Sequence, residues 1–278
     1  MSIKEQVDDA LFLSQNGRYV GALTILMLAI AASSRRTFPK GTKSREEPNK
    51  ELSDRERFTL FLGGKIRKIL FGDYGGPDTG NSGISVGFKG KQYDVAYILY
   101  KFYRCELVHS GELPEDIEFQ QPNNQAGLNI SNGGVNVAIS SSEKLVLDYG
   151  WIDLLANAVV YAKCNGDEFG IEHYEMVPIE SVNEKQFSKD IVESYQITPG
   201  RFEILKYTVR SVGPSVVKQA TDEELQLKFR ELVQKNVITG GAITGLSSRN
   251  LTDRAGNLMP VGIEIMRKIS SVYKIVKV

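Results

Sequence analysis

With 278 residues, 41% of them hydrophobic and 24% charged, the chain is long enough for two globular domains and too apolar for disorder. Lysine plus arginine equals aspartate plus glutamate at 34 each. That balance excludes a net field able to hold nucleic acid nonspecifically, so any such role rests on a local basic site. Two cysteines, Cys105 and Cys164, make neither a disulfide framework nor a zinc site and fit a reducing compartment. The start "MSIKEQVDDALFLSQ" carries acids early and lacks an apolar signal core, which predicts no export.

In chain order, a first helix is expected over about 2–15, with Ile3, Val7, Leu11 and Ser14 on one face. A second follows "NGR" and runs to about Ala32. Its run "LTILMLAIAA", Leu23 to Ala32, is shorter than the roughly 20 residues of a membrane span, so it predicts a central core helix. No membrane partner is implied, and the chain reads as cytoplasmic. Residues 34–52 are dense in charge, hold two prolines and predict an exposed loop. Its arginines and lysines, Arg35, Arg36, Lys40, Lys43 and Arg45, offer either a solvated loop or an RNA-facing arm.

A third helix, about 53–71, opens at Ser53 with Glu56 placed for a capping box. The glycine-rich stretch "FGDYGGPDTGNSGISVGFKGKQ" lacks the G-x-x-x-x-G-K-[ST] order of a phosphate loop and reads as a connector. The fourth helix is expected over about 91–109, stopped by Gly111 and Pro114. "LNISNGGVNVAIS" alternates around Asn132-Gly133 and predicts a hairpin, and "KLVLDYG" adds a third short strand. "WIDLLANAVVYAKCN" predicts a fifth helix ended by Asn165-Gly166.

Beyond residue 166 the pattern is mixed. "RFEILKYTVRSV" looks like a strand, and "TDEELQLKFRELVQK" like a helix with a Thr221/Glu224 capping box. "GGAITGLSSRNLTDRAGN" looks like loop, and the last segment starts a helix at Pro260. His173 lies between Glu172 and Glu175 with no second His or Cys nearby, a weak basis for a metal site.

The chemistry-bearing stretch is "LYKFYRCELVHSGELP", residues 99–114, which closes the fourth helix with Arg104 and His109. The run Arg104-Cys105-Glu106-Leu107-Val108-His109, followed by "SGELP", resembles the R-x4-6-H signature of the HEPN superfamily of helical domains. The resemblance covers about residues 1–166. Many active members carry a polar residue after the arginine, where this chain has Cys105.

What the resemblance implies is metal-independent RNA cleavage by 2′-OH attack on the adjacent phosphorus. Histidine suits acid–base work near neutral pH, and a guanidinium fork suits the charge gathering on phosphoryl oxygens. Arg104 and His109 are therefore the candidate catalytic pair. Lys101 is a candidate for a backbone phosphate, Tyr103 for stacking a base and Glu106 for orienting His109, each with a plain structural alternative. The sequence calls for no cofactor and offers no metal-ligand set.

One motif histidine per chain is too few for both acid and base, and residues five apart on an α-helix point about 140° from each other. Both facts point to a homodimer or higher oligomer with a composite cleft, as in HEPN ribonucleases. The expected fold class is thus α+β: a HEPN-like helical bundle with an inserted β-hairpin over 1–166, then a smaller mixed α/β region over 167–278. The expected function is an RNA endonuclease, a toxin or defence effector, acting on RNA and restrained by a regulatory protein partner. The alternative is a non-catalytic HEPN-like dimerising module that binds RNA, nucleotide or protein, and a third is a structural assembly subunit.

Overall fold

The computed structural model describes residues 1–71, 77–121, 128–132, 135–141, 143–235 and 237–277. The fold class is α+β, in two compact units, Met1–Glu172 and His173–Val278.

The first unit opens with α1 (Ile3–Gln15), begun by a reciprocal capping box: the Glu5 N–H donates to Ser2 Oγ at 3.1 Å and the Ser2 N–H to the Glu5 carboxylate at 2.6 Å. Helix α2 (Tyr19–Thr37) is central, with Leu23, Leu26, Met27 and Ile30 fully buried. It runs to Thr37, beyond the expected end at Ala32, because its serines satisfy themselves within the helix. Ser33 and Ser34 donate to the Ala29 and Ala31 carbonyls, both at 2.8 Å. Arg35 and Arg36 then fall in the last turn, where cations complement the helix dipole.

Helix α3 (Asp54–Phe71) begins as expected, Ser53 Oγ accepting the Glu56 N–H at 3.1 Å. The Glu56 carboxylate turns instead to the preceding loop, accepting the Arg45 N–H at 2.7 Å and the Glu46 N–H at 3.3 Å. Residues 38–53 are therefore a pinned connection, further closed by a bridge between Lys43 and Glu51. At the other end of α3, Gly63 and Gly64 let the backbone of Asp78–Ser82 lie directly on the helix; a methyl on Gly64 would press on the Asp78 carbonyl. Asp78 is held there by Lys68, by Lys163 at 2.9 Å and by Lys65 at 3.9 Å. Burial alone would raise its pKa, but the lysine contacts more than offset this and hold the carboxyl well below its ordinary range.

The glycine-rich connector corrects the expectation in part. Gly72 to Gly76 lie outside the described residues, but the stretch after them forms a hairpin, β1 (Ser85–Phe88) with β2 (Lys91–Asp94). Lys89 and Gly90 both take positive φ, 49° and 73°, the signature of a two-residue type I′ turn. The fourth helix consequently starts at Val95, not near 91. Its Val95–Ile98 (α4) and Cys105–His109 (α5) portions are α-helical and flank a π-helical segment, Leu99–Arg104.

The expected hairpin is present as β4 (Leu128–Asn132) antiparallel to β5 (Val135–Ser141), its Gly133 outside the described residues. β6 (Leu145–Asp148) is the expected third strand. An unexpected β3 (Ile117–Gln120) runs parallel to it, giving the order β3-β6-β5-β4. Helix α6 (Trp151–Val160) is buried along Ile152, Leu155, Ala156 and Val159 and ends before Asn165. A 3-10 turn, Lys163–Asn165, and a short α7 (Gly166–Phe169) follow.

The second unit holds β7 (Tyr174–Pro178), α8 (Glu184–Ser194), α9 (Pro199–Val212), α10 (Pro214–Gln219), α11 (Asp222–Gln234), α12 (Gly240–Ser247), α13 (Pro260–Val272) and β8 (Tyr273–Lys277). β7 and β8 pair antiparallel, Tyr174 opposite Lys277. The Thr221/Glu224 capping box and the start of α13 at Pro260 are as expected. Two expectations fail. "RFEILKYTVRSV" is α9, capped by Thr198 with Pro199 in its first turn and buried along Phe202, Leu205 and Val209. "GGAITGLS" is α12, capped by Thr239. Among the described residues no helix is long and apolar enough to cross a membrane.

Glu56 is 4% exposed, and hydrogen bonds from Ser44, Arg45 and Glu46 outweigh the effect of burial and lower its pKa. A depressed carboxyl adds stability above the unfolded-state pKa and loses it as pH falls through the folded value. Glu56→Gln should therefore cost about 1–3 kcal/mol at pH 7. In urea denaturation the gap from wild type should close on acidification below the usual carboxylate range; a gap constant with pH would refute this role.

Candidate functional site

The site grows from a phase problem in the helix over residues 95–109. Val95, Leu99, Tyr103 and Leu107 are all buried, one every fourth residue. On a regular α-helix these positions would spread over about 120°. The π-helical segment takes back roughly 100° by accommodating one extra residue, so all four face the core. Its signature is the Cys105 N–H, which donates to the Tyr100 carbonyl five residues back.

Tyr103 fixes that phase. Its hydroxyl donates to the Glu118 carbonyl at 2.9 Å, with the Leu145 carbonyl at 3.4 Å, joining the helix to both strands of the parallel pair. The side chain is fully buried, which pushes the phenol well above its ordinary pKa. The expected base-stacking role of Tyr103 is thus not available: both ring faces are packed into the core.

Arg104, roughly 100° further round, leaves the sheet behind and lines a small cleft, about 190 Å³ with its open mouth included. Three helices supply the walls: Ala31, Ser34 and Arg35 from α2, Asp54 and Phe58 from α3, and Tyr100 with Arg104. Ser34 and Arg35 lie three and four residues after Ala31, and Asp54/Phe58 and Tyr100/Arg104 are each four apart, spacings that bring side chains to one face. Arg104 Cζ lies 5.5 Å from the Tyr100 ring centroid, and its Nε is buried with no hydrogen-bond partner. Burial raises the pKa of Tyr100, the neighbouring Cys105 sulfur adds to this, and Arg104 opposes it. Across the same cleft Arg35 pairs with Asp54 at 3.2 Å, and Arg57 approaches Asp54 at 3.6 Å. Among the described residues Arg104 itself has no carboxylate partner.

The structure does not bring His109 to Arg104 within one chain. His109 is exposed in the final turn, and no hydrogen bond, ion pair or ring contact joins the two side chains. The helix closes when the Glu106 carbonyl accepts the Ser110 and Gly111 N–H groups, with Gly111 at φ 78°. Lys101 is exposed, its Nζ 5.3 Å from the Phe102 ring centroid. The basic stretch after α2 is tied down in part: besides the Arg35 pair, Arg36 binds Glu168 and Arg45 donates to Thr79 at 2.7 Å. Among the described residues no three His, Cys, Asp or Glu side chains gather as a metal-ligand set, around His173 or elsewhere.

With this geometry in hand, the sequence profile of the Rv1289 family matches residues 2–193. The chain belongs to the Rv1289 family. The matched span takes in Arg104, His109 and every residue lining the cleft, and it reaches α8 of the second unit. No curated protein and no solved structure matches the chain.

Within this Rv1289-family chain, sequence reasoning found Arg104 but missed Ser34, Asp54 and Tyr100 as its neighbours. The signal that existed was the spacing of four along Val95, Leu99, Tyr103 and Leu107, which an unbroken α-helix cannot keep on one face. Tyr103→Phe should lower stability by about 1 kcal/mol through the lost buried hydrogen bond, measured by chemical denaturation. Affinity for RNA should not change; a loss of RNA affinity without loss of stability would restore Tyr103 as a contact residue.

Proposed function

We propose that this protein is a metal-independent RNA endonuclease of the HEPN type, acting in the cytoplasm as a toxin or defence effector. The observation that carries the reading is Arg104: a half-buried guanidinium at the end of a π-helical segment, in a cleft, with no carboxylate of its own. A scaffold arginine so placed is ordinarily satisfied by carboxylates, carbonyls or hydroxyls, as Arg201 is by the Gly245 carbonyl and Ser248 Oγ, whereas a phosphate-binding arginine keeps its donors for the substrate. π-helical insertions also recur at functional sites. In this reading Arg104 stabilises charge on the phosphoryl oxygens, and His109 takes the 2′-OH proton or gives one to the leaving 5′-oxygen. Lys101 and Glu106 flank the pair on the same helix end, for backbone phosphate contact and for orienting His109.

Because His109 and Arg104 point apart in one chain, the reading needs a second copy. A two-fold dimer supplies two histidines and lets His109 of one protomer face Arg104 of the other. The second unit is then available to recognise RNA or a regulatory protein. A second reading, a non-catalytic HEPN-like dimerising module, is favoured by the same separation of His109 from the cleft. It is favoured too by Cys105, a thiol where a polar motif residue is expected.

Purified protein incubated with tRNA and mRNA in EDTA should yield 2′,3′-cyclic phosphate ends. His109→Ala should lower cleavage by about 100-fold or more with an unchanged Tm. Arg104→Lys should lose most activity because an ammonium lacks the bidentate fork; a fully active, folded His109→Ala chain removes the Arg/His site as the source of cleavage, and a wild-type chain that cuts no RNA leaves the binding module. Light scattering should find the cleaving species to be at least a dimer, and a monomer that still cuts RNA at the same dilution would remove the composite cleft.

A further inference from the structure

The cleft beside Arg104 holds a second arginine besides the candidate catalytic one. Its lining carries two guanidiniums, Arg35 and Arg104, and one carboxylate, Asp54: two positive charges less one negative leave a surplus of one. A phosphodiester carries one negative charge, so the cleft's surplus matches a single backbone phosphate. The hydroxyls of Ser34 and Tyr100 stand in the same lining. Ser34 already donates to the Ala31 carbonyl, which leaves its oxygen as an acceptor only.

Asp54 is engaged with Arg35 and, more distantly, with Arg57, while among the described residues Arg104 has no carboxylate partner and its Nε no hydrogen bond. The Arg35–Asp54 pair is open to water on both sides, 59% and 50% exposed. A pair so exposed is weak and readily exchanged for another anion. Arg35, moreover, lies in the last turn of α2, so it is anchored on a helix whose Leu23, Leu26, Met27 and Ile30 are fully buried.

We infer that Asp54 is an intramolecular occupant of the phosphate site: it holds Arg35 until an RNA phosphodiester displaces it and is gripped by Arg35 and Arg104 together. Arg35 is then a second phosphate-binding residue of the site, and Asp54 sets the threshold that a phosphate must exceed to enter. This deepens the reading of Arg104 as a phosphate ligand and rests on it, but not on cleavage.

The test separates the two. Binding of inorganic phosphate, and of a 12-nucleotide strand with 2′-deoxy sugars throughout, is measured by calorimetry at low salt on the full chain. Asp54→Asn should bind both about tenfold more tightly than wild type, the scale of removing one nearby like charge. Asp54→Ser, which keeps a good residue at the start of α3, should do the same. Arg35→Gln should bind about tenfold more weakly, and Arg35→Gln with Asp54→Asn should regain no more than wild-type affinity. Unchanged or weaker binding by both Asp54 variants, with Tm held, overturns the inference, as does an Arg35→Gln chain that binds as wild type or an absence of binding throughout. RNA cleavage dependent on His109 alongside indifferent Asp54 variants would leave the nuclease standing and remove the gate. Tighter binding by Asp54→Asn without any cleavage would do the reverse.

Discussion

The hydrogen bond from the Tyr103 hydroxyl to the Glu118 carbonyl is the constraint on which the first unit turns. It fixes the rotation of a long helix against the sheet at the one place where that helix departs from α geometry. Everything beside it follows from that phase. Tyr103 must face β3 and β6, so Arg104 must face α2 and α3, and an arginine on that side meets a cleft whose other walls are already set by core packing. The bond is also sheltered: the phenol is fully buried, so water cannot compete for the carbonyls it serves. Loss of one hydrogen bond is a modest energetic matter, but slipping the helix by a residue would drive Arg104 toward the apolar core, where an unpaired guanidinium is far more costly. The helix is thus held from both sides, by a buried phenol that must be satisfied and by a charge that must not be buried.

How much of this was written locally in the chain differs by element. Caps are chemical and short-range, and Ser53, Thr221 and Pro260 marked helix starts where the structure has them. The Asn132-Gly133 signal placed β4 and β5 because the flanking residues alternate, and Val135, Val137 and Ile139 are buried as that alternation requires. The segment 201–212 misled because Phe202 and Ile204 alternate with Arg201 and Glu203 like a strand. The Thr198-Pro199 start, an N-cap followed by a first-turn proline, was the better evidence. The Lys89-Gly90 turn went unseen because lysine is an unusual first residue for a type I′ turn.

The site divides in the same way. Arg104 and His109 were visible because residue type and spacing are local properties. That Arg104 would meet Arg35 and Asp54 was not, since those residues are 69 and 50 positions away, the differences of their numbers, and are brought together only by α2 and α3. Nor could composition reveal that the basic run after α2 continues its helix, because that depends on Ser33 and Ser34 folding their hydroxyls back onto carbonyls.

The treatment of charge across the first unit sets Arg104 apart from its neighbours. Glu56 is saturated by backbone N–H donors, and Asp78 is gripped by three lysines. Arg57 also has a buried Nε without a partner, but its NH1 reaches Asp54. Arg104 is stabilised differently, by the face of Tyr100. A ring holds the plane of a guanidinium without using any of its five N–H donors, whereas a carboxylate would consume two of them. For that arrangement the phenol must stay neutral, and burial of Tyr100 raises its pKa in the direction that keeps it so. A cation–π contact in place of a carboxylate pair is therefore what leaves the arginine both held and available, the two properties a phosphate-binding group needs before its ligand arrives.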